Sequence, residues 1–372
     1  MKKLWGLALC FFFIFAPLQS AHAEPVRVYI TDVVHQNLKG EFRNDDLAQE
    51  LTPSGKLGQL VFTPIKSSKI WVIDPALIDE IISMSGDYKL ANSAVPSGKD
   101  ISASWLKQLI KVSAHNDVIA LAYGNPDVDM AKRLAPSELK LYYSYGKAAL
   151  EMALGRNVRS EPNARWSIGT SKLSSVLQRD YGQDRKDLTR LLKVVNSPDL
   201  FKLRMRLAGL LSPQLDSEGR AYFSITARSA ATAQVHNLRV NAGKYQLTTE
   251  KANLPVTVIN DFPVEVTINI QMLATNTRIV VEDFKEIKLA ANSKAQLVLK
   301  AQVIAPGQTT IYAQITNAAG DVVVPATTLA LNATVIDSRV TWFTTGAAIL
   351  LLLAAITQSV RRVRRGRQNE VR

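Results

Sequence analysis

The residues best placed to do chemistry are four aspartates that follow short apolar runs. Tyr29-Ile30-Thr31 runs into Asp32, Val72-Ile73 into Asp74, and Ala122-Tyr123-Gly124-Asn125-Pro126 into Asp127, with Asp129 two residues on. Ligands of open α/β sheets collect beyond the carboxyl ends of the strands. Paired carboxylates there can divide general acid and general base work on a glycosidic bond. Asp74 and Asp127 are therefore the first candidates for a catalytic pair, with Asp129 and Asp32 as supporting acids. A structural reading competes. Asp74 precedes Pro75 at a helix start and Asp127 follows Pro126 where a turn gives way to a helix, and aspartate at such points caps the orphan N–H groups of the first turn. Trp71, Tyr123 and Asn125, on or just past the same strands, are candidates to touch a bound ligand. Together with Trp105, Tyr142, Tyr143, Tyr145 and Trp166, the aromatic residues among them could stack on sugar rings. At helical and strand spacings they suit core packing equally well.

Other chemistries find little support. The four histidines, His22, His35, His115 and His236, stand at no metal-ligand spacing, so no metal is expected. The single cysteine, Cys10, lies in an N-terminal apolar run that reads as part of a signal peptide, which removes disulfides and thiol catalysis from the mature chain. No G-x-S-x-G elbow is present, and no S-x-x-K accompanied by its partner motifs. Gly55-Lys56-Leu57-Gly58 lacks phosphate-loop spacing. The sequence implies no cofactor.

The elements that must position the aspartates alternate. Val26 to Ile30, Lys69 to Ile73 and Val118 to Tyr123 read as strands, and Arg165 to Ile168 as a possible fourth. Helical patterns over Asp45 to Glu50, Ala76 to Ser83, Ser102 to Val112 and Ser137 to Leu154 separate them, and more follow at Ser174 to Asp180, Asp187 to Val195 and Pro198 to Leu211. Residues 24–211 are thus expected to form an α/β domain, an incomplete barrel-like or open, mostly parallel sheet. Ser212 to Gly219 reads as a linker. Over 220–337 the period switches to two, from Ala221-Tyr-Phe-Ser-Ile-Thr-Ala227 to Leu329 to Ile336. Short strands split by Asn-, Pro- and Gly-containing turns predict an all-β immunoglobulin-like sandwich.

The two ends set the topology. Lys2, Lys3, the apolar run Leu4 to Ala16 and Ala21-His22-Ala23 make a cleaved signal peptide over residues 1–23. Residues 340–360 carry no charge over 21 positions, enough for one transmembrane helix. The Arg-rich tail 361–372 belongs on the cytoplasmic side, so the chain is expected in the cell membrane as a single-pass protein with its N-terminus outside. The formal charge of +13 follows partly from this layout, because the signal carries +2 and the tail +5, leaving +6 between them. That dispersed remainder gives no reason to expect a nucleic-acid partner.

Several blocks of sequence carry a resemblance. WVIDPALIDEI (Trp71 to Ile81), WLKQLI (Trp105 to Ile110), VIALAYGNPDVDMAKRL (Val118 to Leu134) and LPVTVINDFPVEVTINI (Leu254 to Ile270), with the span and Arg-rich tail, resemble an uncharacterised actinobacterial family, domain of unknown function 6049. The resemblance implies secreted, membrane-anchored envelope proteins with no established activity. The chain departs from the family pattern at Ala122 and Asn125, where Pro and Asp are usual, and the second departure removes a carboxylate.

The functional expectation is a non-catalytic, membrane-anchored bacterial envelope protein. Its extracytoplasmic α/β domain would bind a cell-wall or glycan ligand or a membrane-protein partner. The alternatives are a glycan-active hydrolase using Asp74 and Asp127, and an accessory subunit of an envelope-precursor transporter.

Overall fold

A computed structural model describes residues 25–63, 68–164, 166, 169–334 and 338–368. The expected signal peptide lies outside the described residues, as do Arg165, Ser167 and Ile168 of the possible fourth strand.

The N-terminal part is built on a four-stranded, all-parallel sheet. Its strands are β1 (Val26–Ile30), β3 (Lys69–Ile73), β5 (Asp117–Ala120) and β6 (Arg159–Ser160), paired in that order. Between them run α1 (Asp46–Glu50), α2 (Lys56–Phe62), α3 (Pro75–Met84), α4 (Lys99–Ser113), α5 (Val128–Leu134) and α6 (Pro136–Leu154), and a two-residue ladder joins β2 (Glu41–Phe42) to β4 (Lys89–Leu90). Parallel strands covered on both faces read as continuous apolar runs, and Trp71, Val72 and Ile73 of β3 are all fully buried. Val28, Ile30, Trp71, Ile73, Leu77, Ile81 and Trp105 form a core beneath the sheet, and the Trp105 indole N–H donates to the Leu57 carbonyl at 3.0 Å.

The next layer is helical: α7 (Ser175–Leu191), α8 (Pro198–Arg206), a 3-10 turn at Leu207–Leu211, and α9 (Ser217–His236). This corrects two expectations. Ala221 to Ala227 is helix, not the first strand of a sandwich. The alternation Ala221, Phe223, Ile225, Ala227 is accidental: Phe223 and Ala227 are buried, whereas Ile225 is 70 % exposed. The buried set Arg220, Phe223, Ser224, Ala227, Ala230 and Ala231 follows the helical period, and Asp216 caps the helix by accepting from Gly219 N. The predicted linker Ser212 to Gly219 is a packed turn, with Ser212 and Leu215 buried and their carbonyls accepting from the Arg220 guanidinium. A segment tied down in this way is no flexible hinge. The helices read separately at Ser174 and Asp187 are one, α7.

The sandwich begins at β7 (Leu238–Val240) and continues through β8 (Gly243–Leu247), β9 (Lys251–Asn260), β10 (Val266–Ala274), β11 (Ile279–Val281), β12 (Phe284–Leu289), β13 (Ser293–Val303), β14 (Gly307–Thr316) and β15 (Thr327–Ala333). One sheet runs β12-β10-β14-β15-β8 and the other β11-β13-β9-β7, antiparallel except for β15 beside β8. Val256, Val258, Ile268, Ile270, Ile311, Ile315 and Leu329 fill the space between them. Buried contacts run on through Phe262 and Leu238 to Phe223 and Leu188 of the helical layer, making one continuous core. A single helix, α10 (Ser338–Gln368), follows. Its stretch Trp342–Arg362 is 21 residues long with a mean hydropathy of 1.8, long and apolar enough to cross a membrane.

Candidate functional site

The strand ends converge on a small cavity of about 70 Å³, lined by Asp32, Asp74, Asp79, Glu80, Tyr123 and Arg206 among others. Parallel pairing of β1 with β3 and of β3 with β5 aligns their carboxyl ends, which is why Asp32, Asp74 and Tyr123 meet. Asp74 caps α3: its Oδ1 accepts from Ala76 N at 2.9 Å and from Gly124 N at 3.0 Å. Burial outweighs those two bonds, and neighbouring Glu80 and Asp79 add repulsion, so its carboxyl is pushed up to about 7. Glu80 is also raised by burial, although His35, Arg206 and the N–H groups of His35 and Gln36 all favour its charged form. Burial works to raise Asp32 as well, but His35 at 3.4 Å and Lys56 at 3.2 Å override it and hold the carboxyl below its usual range. His35 is the counterpart: burial works to lower it, and Asp32, Glu80 and Asp46 raise it.

The upper wall of this cavity is held by charge. Arg206 donates to the carbonyls of Gln36 and Asn37 at 2.9 and 2.8 Å. Asp79 accepts from Tyr123 Oη at 2.8 Å and pairs with Lys202 at 2.9 Å. Gly124 turns with φ +77°, its backbone so close to Gly209 that a Cβ would stand 2.7 Å from the Gly209 nitrogen. At about 70 Å³ the cavity has room for water but not for a sugar ring. Its polar groups chiefly fasten the strand-end loops to the helical layer.

Asp127 lies elsewhere. It caps α5, with Oδ1 accepting from Asp129 N and Met130 N at 3.0 and 3.1 Å and Oδ2 from Ser171 N at 2.7 Å. Asp74 and Asp127 line different cavities, the second being an open groove of about 730 Å³. Asp129 is exposed and borders that groove. Trp71 is fully buried in the sheet core and offers no face to a ligand, Tyr123 is 1 % exposed with its hydroxyl donating to Asp79, and Asn125 is buried with a left-handed φ of +41°. Asn125 Oδ1 has no hydrogen-bond partner among the described residues.

The groove between α6 and the segment after β6 is the larger opening. One face of α6 supplies Lys140, Tyr143, Ser144 and Lys147, α5 adds Lys132, and Ser160, Asn163 and Thr170 stand opposite. Sequence reading missed the lysines, though Lys140, Tyr143, Ser144 and Lys147 recur at the spacing of one helix face. It also missed Asp79 and Glu80, two acids inside the apolar helix Pro75–Met84, and it weighed His35 only as a metal ligand. Nothing local marked Lys202 or Arg206, which reach the cavity from about 170 residues beyond Asp32. Among the described residues no cluster of three or more His, Cys, Asp or Glu is arranged to hold a metal ion.

Residues 167–368, more than half of the chain, match the model of a family of unknown function, DUF6049. The chain belongs to this family. The match takes in the block Leu254 to Ile270 and α10, whereas the blocks between Trp71 and Leu134 lie before it. No curated protein matches the sequence. Among solved structures, WR4, a C. elegans MSP family member, shares 16 % identity over 26 % of this chain and 98 % of its own, at a TM-score of 0.21. E. coli alpha-2-macroglobulin shares 15 % over 26 % of this chain and 6 % of its own, also at 0.21. The ASH/PapD-like domain of human CEP192 shares 9 % over 27 % and 87 %, again at 0.21. Likeness this slight carries no argument about activity or partners.

Proposed function

We propose that this family member is a non-catalytic envelope protein that binds a glycan in the groove beside α6. In this reading α10 spans the cell membrane, its Arg-rich end stays in the cytoplasm, and the α/β part and sandwich stand outside. One observation carries the reading. The open groove combines a half-buried aromatic ring (Tyr143) with hydroxyl and amide groups (Ser144, Ser160, Asn163, Thr170), the mixture that holds sugar rings. The strand-end aspartates, by contrast, spend their carboxylates on backbone N–H groups: two for Asp74 and three for Asp127. Saturation on both oxygens makes Asp127 a poor proton shuttle, Asp74 sits in a cavity too small for a sugar ring, and one cavity does not hold both.

The test uses full-length protein in lipid nanodiscs and soluble wall-glycan fragments. Binding is expected without release of new reducing ends, and Ser144→Trp, which fills the groove, should abolish it. Glycan cleavage that Asp127→Asn removes would overturn the non-catalytic reading in favour of the hydrolase. Topology is checked with single cysteines in a Cys10→Ala background. An impermeant maleimide applied to intact cells should label Ser144→Cys and spare Arg362→Cys. The reverse pattern would place the groove inside the cell. Co-purification of a membrane transporter with the intact chain, lost on replacing α10, would favour the accessory-subunit reading.

A further inference from the structure

The lysines of the groove say more than that it binds sugar. Lys132, Lys140 and Lys147 all border it. Lys147 is paired at 3.0 Å with Glu151 one turn along the helix. Lys132 and Lys140 form no ion pair with any described residue, and both are exposed. Two acids also border the groove, yet they do not neutralise these cations equally. The Asp127 carboxylate is turned inward and saturated by the N–H groups of Asp129, Met130 and Ser171. Only Asp129 faces outward. The groove therefore presents two unpaired ammonium groups, a third shared with Glu151, and a single available carboxylate.

Beside them the groove offers neutral contacts. Ser160 borders it, and its buried Oγ has no hydrogen-bond partner among the described residues. Tyr143 projects from the same helix face between Lys140 and Lys147. A neutral sugar would leave the lysine charges without a role. A free small anion would leave Tyr143 without one.

We infer that the groove takes an anionic saccharide, whose carboxylate or phosphate groups meet Lys132 and Lys140 while a sugar ring lies against Tyr143. The inference rests on the glycan-binding reading above and narrows it to one ligand class. A uronic acid polymer and a polyol-phosphate polymer present the same chemistry, an acid group on a hydroxylated backbone.

The experiment measures binding of three polymers to full-length protein in nanodiscs of zwitterionic lipid: alginate oligosaccharide, poly(glycerol phosphate) and neutral dextran. At least one anionic polymer should bind about tenfold tighter than dextran and weaken several-fold as salt screens the lysines. Lys132→Gln with Lys140→Gln should remove about tenfold of that affinity, the order expected for charge-assisted contacts. Lys107→Gln with Lys111→Gln, exposed positions on α4 outside the groove, should leave it unchanged. Preference between alginate and the phosphate polymer identifies which acid group the site selects. If all three polymers bind alike, the groove-lysine variant is silent and Ser144→Trp still blocks binding, the anionic inference fails while the glycan reading stands. If no polymer binds, or Ser144→Trp changes nothing, both fail.

Discussion

Asp74 provides the sharpest test of the small strand-end cavity. It is 4 % exposed, and its carboxyl is pushed from 3.8 to about 7, first by burial and then by the charges of Glu80 and Asp79. Because the folded-state value lies above the unfolded one, the folded chain keeps this proton between about pH 4 and pH 7 after the unfolded chain has lost it. The stability associated with the neutral acid is thus fully present below about pH 4, is lost progressively up to about pH 7, and changes no further above that. Three units correspond to about 4 kcal/mol in full, and about 3 kcal/mol between pH 5 and pH 8. Asp74→Asn removes the titration and keeps an oxygen for Ala76 N and Gly124 N. Asp74→Ala removes both the titration and the cap, orphaning two donors at about 1 to 3 kcal/mol each. Relative to wild type, both variants should therefore gain about 3 kcal/mol from pH 5 to pH 8. Alanine should lie a constant few kcal/mol below asparagine throughout. Urea denaturation of the detergent-solubilised chain, followed through buried Trp71 and Trp105, measures this directly. Variants that run parallel to wild type across that range would show that Asp74 titrates as a solvated acid, and the burial argument would be refuted.

Three further predictions concern what fastens the layers together. Glu138 is 1 % exposed and is held by Arg204 and, at 3.5 Å, Arg185, so Glu138→Ala leaves two half-buried guanidinium groups without their carboxylate and should cost about 1 to 3 kcal/mol by urea denaturation. Gly124→Ala forces a Cβ onto a left-handed turn 2.7 Å from the Gly209 backbone, and it should cost more than about 2 kcal/mol in the same assay. Asp127→Ala removes the cap of α5 and the partner of Ser171 N. It should destabilise by about 1 to 3 kcal/mol and speed hydrogen exchange at Ser171, whereas Asp127→Asn should retain most of both.

Much of the fold was legible locally. The three long strand segments, the helices after Asp74 and Pro136, most strands of the sandwich and the 21-residue apolar stretch all declare themselves through period, caps and length, which are properties of neighbouring residues. The helix at Ser217–His236 did not. Its first residues alternate like a strand, and only packing of Phe223 and Ala227 against the layers on either side selects the helical period. Trp71 was a ligand candidate for its ring, and burial in the sheet withdrew it.

The site divides along the same line. Sequence alone pointed to Asp32, Asp74 and Tyr123 at the carboxyl ends of a mostly parallel sheet, because alternating strands and helices favour parallel pairing. It also determined that Asp74 and Asp127 suit helix starts. Only the tertiary structure decided that those two carboxylates open onto different cavities, and that Lys202 and Arg206 close the first. It likewise set the groove's charge balance: Asp127 is saturated by a backbone N–H 44 residues away as well as two nearby, while Lys132 and Lys140 form no ion pair among the described residues. The physical reason is that hydrogen bonds and ion pairs between distant segments depend on where the packed core places them. Local periodicity carries no information about that placement.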